Sequence, residues 1–291
     1  MKILTGALQL VLFIVISPFL SGLITVIKNN LRMRKGQSII QPYYNLAKLF
    51  GKGEVVSETA SWIFKTAPFV VFASSLAAAA LVGGFMPPDR MNFMGDLLAL
   101  IFILALGRFF MALAALDTGS SFGGMGSSRE MFISSLAEPA ICLMIFTLSL
   151  QFGSSNAAYL SGAHGVPVSS IVASIAMFMV IIAETSRIPV DNQETHLELT
   201  MVHEAMVLEY SGKSLALIEL ASYIKQMAWF FLLSWVIFPG VAPLAGAIVI
   251  ALIMAPVEVC VAKMRLFRVA DFLGFAFVLA LVAAVCAAIG V

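Results

Sequence analysis

The sequence predicts an all-α polytopic membrane protein with about eight transmembrane helices. Of its 291 residues, 61% are hydrophobic and only 11% are charged, and the mean hydropathy is +1.01. Several apolar runs reach the roughly 20 residues that a helix needs to cross a bilayer core of about 30 Å. Short segments of alternating polarity, which would indicate a membrane β-barrel, are not seen. We therefore expect a single membrane domain spanning residues 1–291.

Polar residues or helix breakers separate the apolar segments. The first segment is too long for a signal peptide and lacks a small-residue cleavage site, so we expect it to be retained. A Pro-Pro pair ends the second segment, and Pro239 and Pro243 flank the turn between the sixth and the seventh. The stretch from Gly119 to Gly126 is predicted to be a flexible connector after the third segment. The predicted spans cover about residues 4–27, 66–86, 96–117, 130–151, 167–185, 214–238, 243–261 and 271–291.

The distribution of lysine and arginine predicts the orientation. Cytoplasmic loops are enriched in these residues. If segment 28–65 is cytoplasmic, thirteen cations near span ends fall inside, and only Lys2 and Arg90 fall outside. Both termini are then predicted on the outer face, and the loop 186–213 is cytoplasmic. The thirteen are Lys28, Arg32, Arg34, Lys35, Lys48, Lys52, Lys65, Arg129, Arg187, Lys213, Lys263, Arg265 and Arg268.

The cytoplasmic segment 28–65 is predicted to contain an amphipathic surface helix. Pro42 suits a first helical position. Tyr43, Leu46, Ala47 and Phe50 follow with the spacing of one apolar face. We interpret this helix as an interfacial anchor, with a partner-binding face as the alternative.

Charged side chains inside the spans are candidates for function, because an ionisable group is costly in a bilayer core. Arg108 lies near the middle of the third span and Lys225 near the middle of the sixth. The acids Glu138, Glu184, Glu219 and Glu258 lie toward the cytoplasmic side of the fourth to seventh spans. Either these groups form a proton path from the cytoplasm, or Glu138 or Glu219 pairs with one of the two cations between helices.

An acidic stretch, residues 183–212, follows the fifth span. It holds six of the sixteen acids of the chain, namely Glu184, Asp191, Glu194, Glu198, Glu204 and Glu209. A helix is predicted from about Asn192 to Tyr210. His196 and His203 would then lie two turns apart, about 10.5 Å, which is too far for direct binding of one metal ion. We predict no metal site here.

Local motifs in this stretch and elsewhere resemble one family. The run AETSRIPVD (183–191), with the later Glu194, Glu198 and Glu209-Tyr210, closely resembles the signature of respiratory complex I subunit 1. The segments 32–50, 127–139 and 264–275 are similar to that family's first cytoplasmic loop, fourth-span entry and last basic turn. His196 stands where quinone-reducing members usually carry a glutamate. The motif HEAMVLEYSG (203–212) instead resembles the membrane anchor of complex-I-related [NiFe]-hydrogenases of the formate hydrogenlyase type.

The resemblance implies a non-redox subunit of a bacterial or archaeal cytoplasmic (inner) membrane complex, without a catalytic centre or cofactor of its own. Implied partners are the hydrogenase large subunit, the small iron–sulfur subunit and antiporter-like membrane subunits. They would carry the [NiFe] and iron–sulfur clusters, since Cys142, Cys260 and Cys286 form no CxxC motif here. No basic tract indicates nucleic-acid binding. Two alternatives remain, a quinone-chamber subunit of a dehydrogenase and a stand-alone secondary transporter.

The family match also implies site residues. A role in coupling redox chemistry to ion movement would fall on Glu138, Glu184, Asp191, Glu194, Glu198 and Glu209, with Arg129 and Arg187 balancing their charge. From their positions in or beside the spans we add Arg108, Lys225, Glu204 and Glu219 to this predicted relay.

Overall fold

The computed structural model describes residues 2–83, 96–157, 167–192 and 201–290. These ranges contain ten α-helices and no β-strand beyond an isolated bridge between Asp96 and Asn156. The helices are α1 (Lys2–Leu31), α2 (Gln41–Phe50), α3 (Trp62–Val82), α4 (Leu97–Asp117), α5 (Ser121–Phe152), α6 (Val168–Glu184), α7 (His203–Val207), α8 (Gly212–Ile237), α9 (Pro243–Cys260) and α10 (Leu266–Ile289).

Eight of these helices match the predicted spans in order. In the described part of the chain, seven of them are long and apolar enough to cross a membrane, and α6 is a shorter apolar helix of 17 residues. The predicted fold class, a polytopic all-α membrane protein, is thus confirmed.

The helix α8 lies at the centre of the bundle. Within its most apolar window 78% of the residues are buried, against 28% to 50% for the other six long helices. It contacts α1, α2, α3, α6 and α9. A helix that is apolar all round belongs in a protein interior. Its charged residues Glu219 and Lys225 therefore lie among neighbouring helices.

The predicted surface helix exists as α2, but its buried face differs from the predicted one. Pro42 and Leu46 are buried, whereas Ala47 and Phe50 are exposed. The Tyr43 hydroxyl donates a hydrogen bond to the Val15 carbonyl of α1 at 2.5 Å. Contacts with α1 and α8 thus set the rotation of α2 about its axis, which spacing alone does not fix.

The glycine-rich stretch before the fourth span is helical, so the prediction of a flexible connector is wrong. The helix α5 begins at Ser121, and the Ser120 hydroxyl caps it by accepting the Gly123 N–H at 3.1 Å. A Cβ at Gly123 would collide with the Ala115 carbonyl, and one at Gly126 would lie 2.9 Å from the Ala205 Cβ. These glycines allow α5 to approach α4 and α7 closely.

The prediction of one continuous helix from Asn192 to Tyr210 is also wrong. In its described part, only α7 (His203–Val207) is helical, while Asn192, Met201 and Val202 are not. The N–H groups of Val202 and His203 bind the Asp191 carboxylate, although a continuous helix would require them to bind carbonyls four residues earlier. Residues 193–200 lie outside the described ranges.

The chain after α7 is held against α3 by Tyr210. The Tyr210 hydroxyl donates to the Phe64 carbonyl at 3.0 Å, and the two rings stack with centroids 4.0 Å apart. Burial raises the pKa of Tyr210 above its usual value, so the hydroxyl stays protonated and remains a donor. This contact fixes the end of the acidic stretch next to α3.

Gly212, at the start of α8, is packed against the segment between α2 and α3. Its φ is +53°, and a Cβ there would lie 2.5 Å from the Gly53 carbonyl oxygen. Beside it, the Ser211 hydroxyl exchanges hydrogen bonds with the Val55 backbone at 2.8 and 3.0 Å. We expect Gly212→Ala to lower the free energy of unfolding by about 1–3 kcal/mol through overpacking, in addition to the left-handed backbone cost.

The matched control is Gly119→Ala. Gly119 has a similar φ of +67°, but no described atom lies within 4 Å of the added Cβ. Chemical unfolding of both variants in detergent micelles measures the difference. Equal losses of stability in the two variants would contradict the packing argument.

Candidate functional site

Four helices bring charged side chains together around Glu184. The Arg108 guanidinium, from α4, donates to both Glu184 and Glu138, with 2.7 Å between Nη2 and the Glu138 Oε1. Lys225 Nζ, from α8, lies 3.4 Å from the Glu184 Oε2. The Glu184 side chain is only 2% exposed, whereas that of Glu138 is 40% exposed. We call these four residues the Glu184 cluster.

The Glu184 cluster agrees with part of the sequence interpretation. Glu138 pairs with Arg108 between α5 and α4, as one of the two alternatives predicts. The pairing holds buried charges of opposite sign together, which offsets part of their desolvation cost. It also leaves carboxylates of unequal exposure on one guanidinium, with Glu138 the more exposed of the two.

A second charged group, the Glu258 cluster, surrounds Glu258 on α9. Its carboxylate binds Lys28 Nζ of α1 at 2.6 Å and Arg187 Nη1 at 2.5 Å. Arg187 Nη2 also donates to the Gln226 Oε1 at 3.0 Å. Arg187 follows α6 directly and Gln226 follows Lys225 on α8, so the two clusters are adjacent along both segments.

The Asp191 carboxylate binds both parts of the acidic stretch that the structure describes. Its Oδ1 accepts from Lys263 Nζ at 2.7 Å and from the Asn192 N–H at 2.8 Å. Its Oδ2 accepts the N–H groups of Val202 and His203 at 3.0 and 3.1 Å. The residue is 1% exposed. The carboxylate therefore joins the chain before residue 193 to the chain after residue 200.

The two predicted charge-balancing arginines have different partners. Arg187 binds Glu258, which the predicted relay does not include. Arg129 Nη1 donates to the Met201 carbonyl at 3.0 Å and so positions the backbone just before α7. In the described structure, neither arginine forms an ion pair with one of the predicted relay acids.

Three adjoining cavities connect these groups. A cavity of about 60 Å³ lies between α3, α4 and α8, one of about 40 Å³ lies beside Glu184, and a cleft of about 520 Å³ lies beside Glu258. The charged or titratable residues around the 60 Å³ cavity are Arg108, Glu130, His203 and Lys225. Those around the 40 Å³ cavity are Glu184, Arg187, His203, Tyr223 and Lys225. Those around the 520 Å³ cleft are Lys28, Lys35, Arg187, Asp191 and Glu258.

Shared lining residues show that the cavities are neighbours. The first and second share His203, Ser222 and Lys225. The second and third share Ser21, Ser186 and Arg187. Each volume exceeds the roughly 10–15 Å³ that one water molecule needs. Each cavity can therefore hold water, and the three lie in a row between Asp191 and the Glu184 cluster.

Several predicted relay residues are not part of these clusters. Glu204 and Glu219 are half-buried and Glu209 is exposed, and within the described ranges none of the three forms an ion pair. Glu194 and Glu198 lie outside the described residues, as does His196. No three His, Cys, Asp or Glu side chains in the described ranges are placed to hold a metal ion.

Other residues of the site were absent from the predicted relay. Glu258 has a usable signal, since it is an ionisable residue inside an apolar span. Gln226 also has a signal, as a polar residue inside an apolar span. Lys28 and Lys263 have none, because lysines near span ends are common in membrane proteins. Glu130 lines the 60 Å³ cavity although it lies in a polar sequence context.

Residues 4–289 match the family described as NADH dehydrogenase. The chain belongs to this family. The match covers nearly the whole chain, including all three groups of charged residues described above. The resemblance to complex I subunit 1 is thereby confirmed.

Two relatives of this NADH dehydrogenase family member come from Escherichia coli K12. Hydrogenase-4 component C is 34% identical over 223 residues, which cover 75% of this chain and 70% of that protein. Formate hydrogenlyase subunit 4 is 28% identical over 269 residues, which cover 90% of this chain and 87% of that protein. The chain is thus homologous to subunits of hydrogenase-4 and formate hydrogenlyase, as the HEAMVLEYSG motif predicts.

The fold of this family member also occurs in a solved structure. A chain of the membrane-bound sulfane sulfur reductase, an archaeal respiratory membrane complex, superposes with a TM-score of 0.84. The alignment covers 98% of this chain and 99% of that chain at 19% identity. The likeness establishes a shared arrangement of helices.

Proposed function

We propose that this chain is the membrane subunit of a multisubunit [NiFe]-hydrogenase complex of the formate hydrogenlyase type. It anchors the peripheral redox arm and relays protons, or the conformational change coupled to them, toward ion translocation. The observation that supports this most is the row of adjoining cavities between Asp191 and the Glu184 cluster. A subunit that served only as an anchor would not require buried carboxylates, cations and water-sized spaces in continuous contact.

The relay has a defined order in this proposal. Protons enter near Asp191 and Glu258, pass the cavity beside Glu184, and reach the 60 Å³ cavity, where Arg108 stays charged and holds the Glu138 carboxylate. The acids Glu194, Glu198, Glu204, Glu209 and Glu219 would be further proton-binding groups of the relay. Since opposite charges are paired along this path, a proton can move with little change in net buried charge.

The partners follow from the same proposal. The hydrogenase large subunit and the small iron–sulfur subunit would dock on the face that carries α2, α7 and the acidic stretch, and they would carry the [NiFe] and iron–sulfur clusters. Antiporter-like subunits would bind the lateral face of the bundle. The thirteen lysines and arginines near one set of span ends support placing this face in the cytoplasm and both termini outside.

The alternative is a quinone-chamber subunit, and one assay separates the two. The complex purified through this chain should evolve hydrogen from a reduced donor and should not reduce quinone. Quinone reduction without hydrogen evolution would reject the hydrogenase proposal. A chain that is stable and active in transport by itself would instead favour a secondary transporter.

Glu138→Gln tests the relay. Glu138 is the most exposed member of the Glu184 cluster, so we expect the complex to assemble normally. Loss of a proton-transfer group should lower proton translocation per electron by a factor of about 100, the lower range for removing a general acid or base. The measurement is acidification or alkalinisation of vesicles that contain the complex, alongside hydrogen evolution.

The matched control is Glu58→Gln, at an exposed position of the first cytoplasmic segment. It should retain the wild-type ratio of protons to electrons. A normal ratio in Glu138→Gln, with normal assembly, would reject the relay.

A further inference from the structure

His203 lies where the acidic stretch, the 60 Å³ and 40 Å³ cavities and the helix bundle meet. It is the first residue of α7, and its backbone N–H is bound to Asp191 at 3.1 Å. Its side chain is half-buried and lines both the 60 Å³ cavity and the 40 Å³ cavity. The backbone thus fixes the position of the imidazole, while the ring itself contacts both water-sized spaces.

Among the described residues, Lys225 and Ser222 also line both cavities, and both already have hydrogen-bond partners. Lys225 is bound to Glu184, and the Ser222 hydroxyl donates to the Glu219 carbonyl at 2.8 Å. In the described part of the chain, the His203 side chain makes no hydrogen bond. Of the three shared residues, His203 alone is of a type that gains and loses protons near neutral pH.

The surroundings favour the neutral imidazole. Burial lowers the pKa of His203 below its usual value, and the charge of Lys225 lowers it further. Glu204 and Asp191 oppose this shift without reversing it. The groups that face His203 are Arg108 on α4, Glu130 on α5, Glu184 on α6, Arg187 and Asp191 after α6, Tyr223 and Lys225 on α8, and Glu204 on α7 itself.

We propose that His203 transfers protons between the two cavities, from the 40 Å³ cavity beside Glu184 to the 60 Å³ cavity beside Arg108 and Glu130. One ring nitrogen binds a hydrated proton from the 40 Å³ cavity, and the other releases its proton to water or to the Glu130 carboxylate in the 60 Å³ cavity. One N–H bond forms and one breaks, so the ring returns to a neutral state as the other tautomer. Rotation of the imidazole ring then turns the protonated nitrogen toward the 60 Å³ cavity again, ready for the next transfer. This inference rests on the proposed relay function.

The test uses the complete complex in vesicles, with two substitutions. His203→Gln keeps the size of the side chain, and the bond to Asp191 survives because it uses the backbone N–H. We expect protons translocated per electron to fall by about 100-fold. His203→Ala should show the same loss, and added imidazole should restore part of the translocation by occupying the space. Imidazole should have no effect on His203→Gln, whose side chain fills that space.

The control is His164→Gln, which replaces a histidine of the segment between the fourth and fifth spans and should behave as wild type. A normal ratio of protons to electrons in His203→Gln would overturn the proposal. So would an assembled His203→Ala complex that imidazole does not rescue. If the alanine variant does not assemble, His203→Gln decides alone, with loss of the ratio supporting the role.

The two proposals fail in different ways. If wild type translocates no protons, or Glu138→Gln translocates them normally, the relay function itself is wrong. If Glu138→Gln loses translocation while His203→Gln keeps it, only the role of His203 is wrong.

Discussion

Replacing Arg108 by methionine should lower the free energy of unfolding by about 3–5 kcal/mol, the range for removing one partner of a buried ion pair. Arg108 bridges Glu138 and Glu184, and Glu184 is 2% exposed. Methionine fills much of the same space but leaves the Glu184 carboxylate without its guanidinium. Lys225, 3.4 Å away, compensates only in part. Chemical unfolding in detergent micelles measures the effect.

Two further variants separate the charge effect from a packing effect. Arg268→Met makes the same substitution at an exposed position and should leave stability nearly unchanged. In the double variant Arg108→Met with Glu184→Gln, the only carboxylate left without its guanidinium is that of Glu138, whose side chain is 40% exposed, so stability should be higher than in Arg108→Met alone. If the two substitutions instead lower stability additively, the ion pair is not the source of the loss.

Glu258→Gln should have an effect of similar size, about 3–5 kcal/mol. The carboxylate is shared by Lys28 and Arg187, at 2.6 and 2.5 Å, and all three side chains are largely buried. Glutamine preserves the shape of the side chain but removes the negative charge that offsets the repulsion between the Lys28 and Arg187 cations. We expect loss of folded protein and of α1–α9 packing, measured by chemical unfolding and by protease sensitivity near residues 28–40.

The comparison for this variant is again Glu58→Gln, which should unfold as wild type does. A second substitution, Lys28→Met, removes one of the two facing cations. Added to Glu258→Gln, it should recover part of the lost stability. Wild-type stability of Glu258→Gln itself would show that the Glu258 cluster is not held by charge.

The sequence was sufficient to predict the fold class because the length of an apolar segment can be read from that segment alone. Each span of about 20 apolar residues is visible without knowledge of its neighbours. Pairing of Glu138 with Arg108 could also be anticipated, since two opposite charges within spans have few other partners. The contacts of Asp191 could not be anticipated from the sequence. Its partner Lys263 is 72 residues away, and Lys28 and Glu258 are 230 residues apart.

The errors have a common physical origin in tertiary contacts. The stretch 121–130 is rich in glycine, which disfavours an isolated helix. Packing against α4 and α7 requires small residues there and outweighs that preference. Similarly, the helical pattern after Asn192 is interrupted because the Asp191 carboxylate competes for the N–H groups of Val202 and His203.

The Asp191 carboxylate holds Asn192, Val202 and His203 together although the first and the second are ten positions apart in the sequence. The closure entropy of a loop is lost once, when the protein folds. The backbone that leads into α7 is therefore already fixed in the folded protein, and a partner that binds there would pay a smaller entropic cost of association. Asp191 would then influence the affinity of the proposed docking face although it is itself buried.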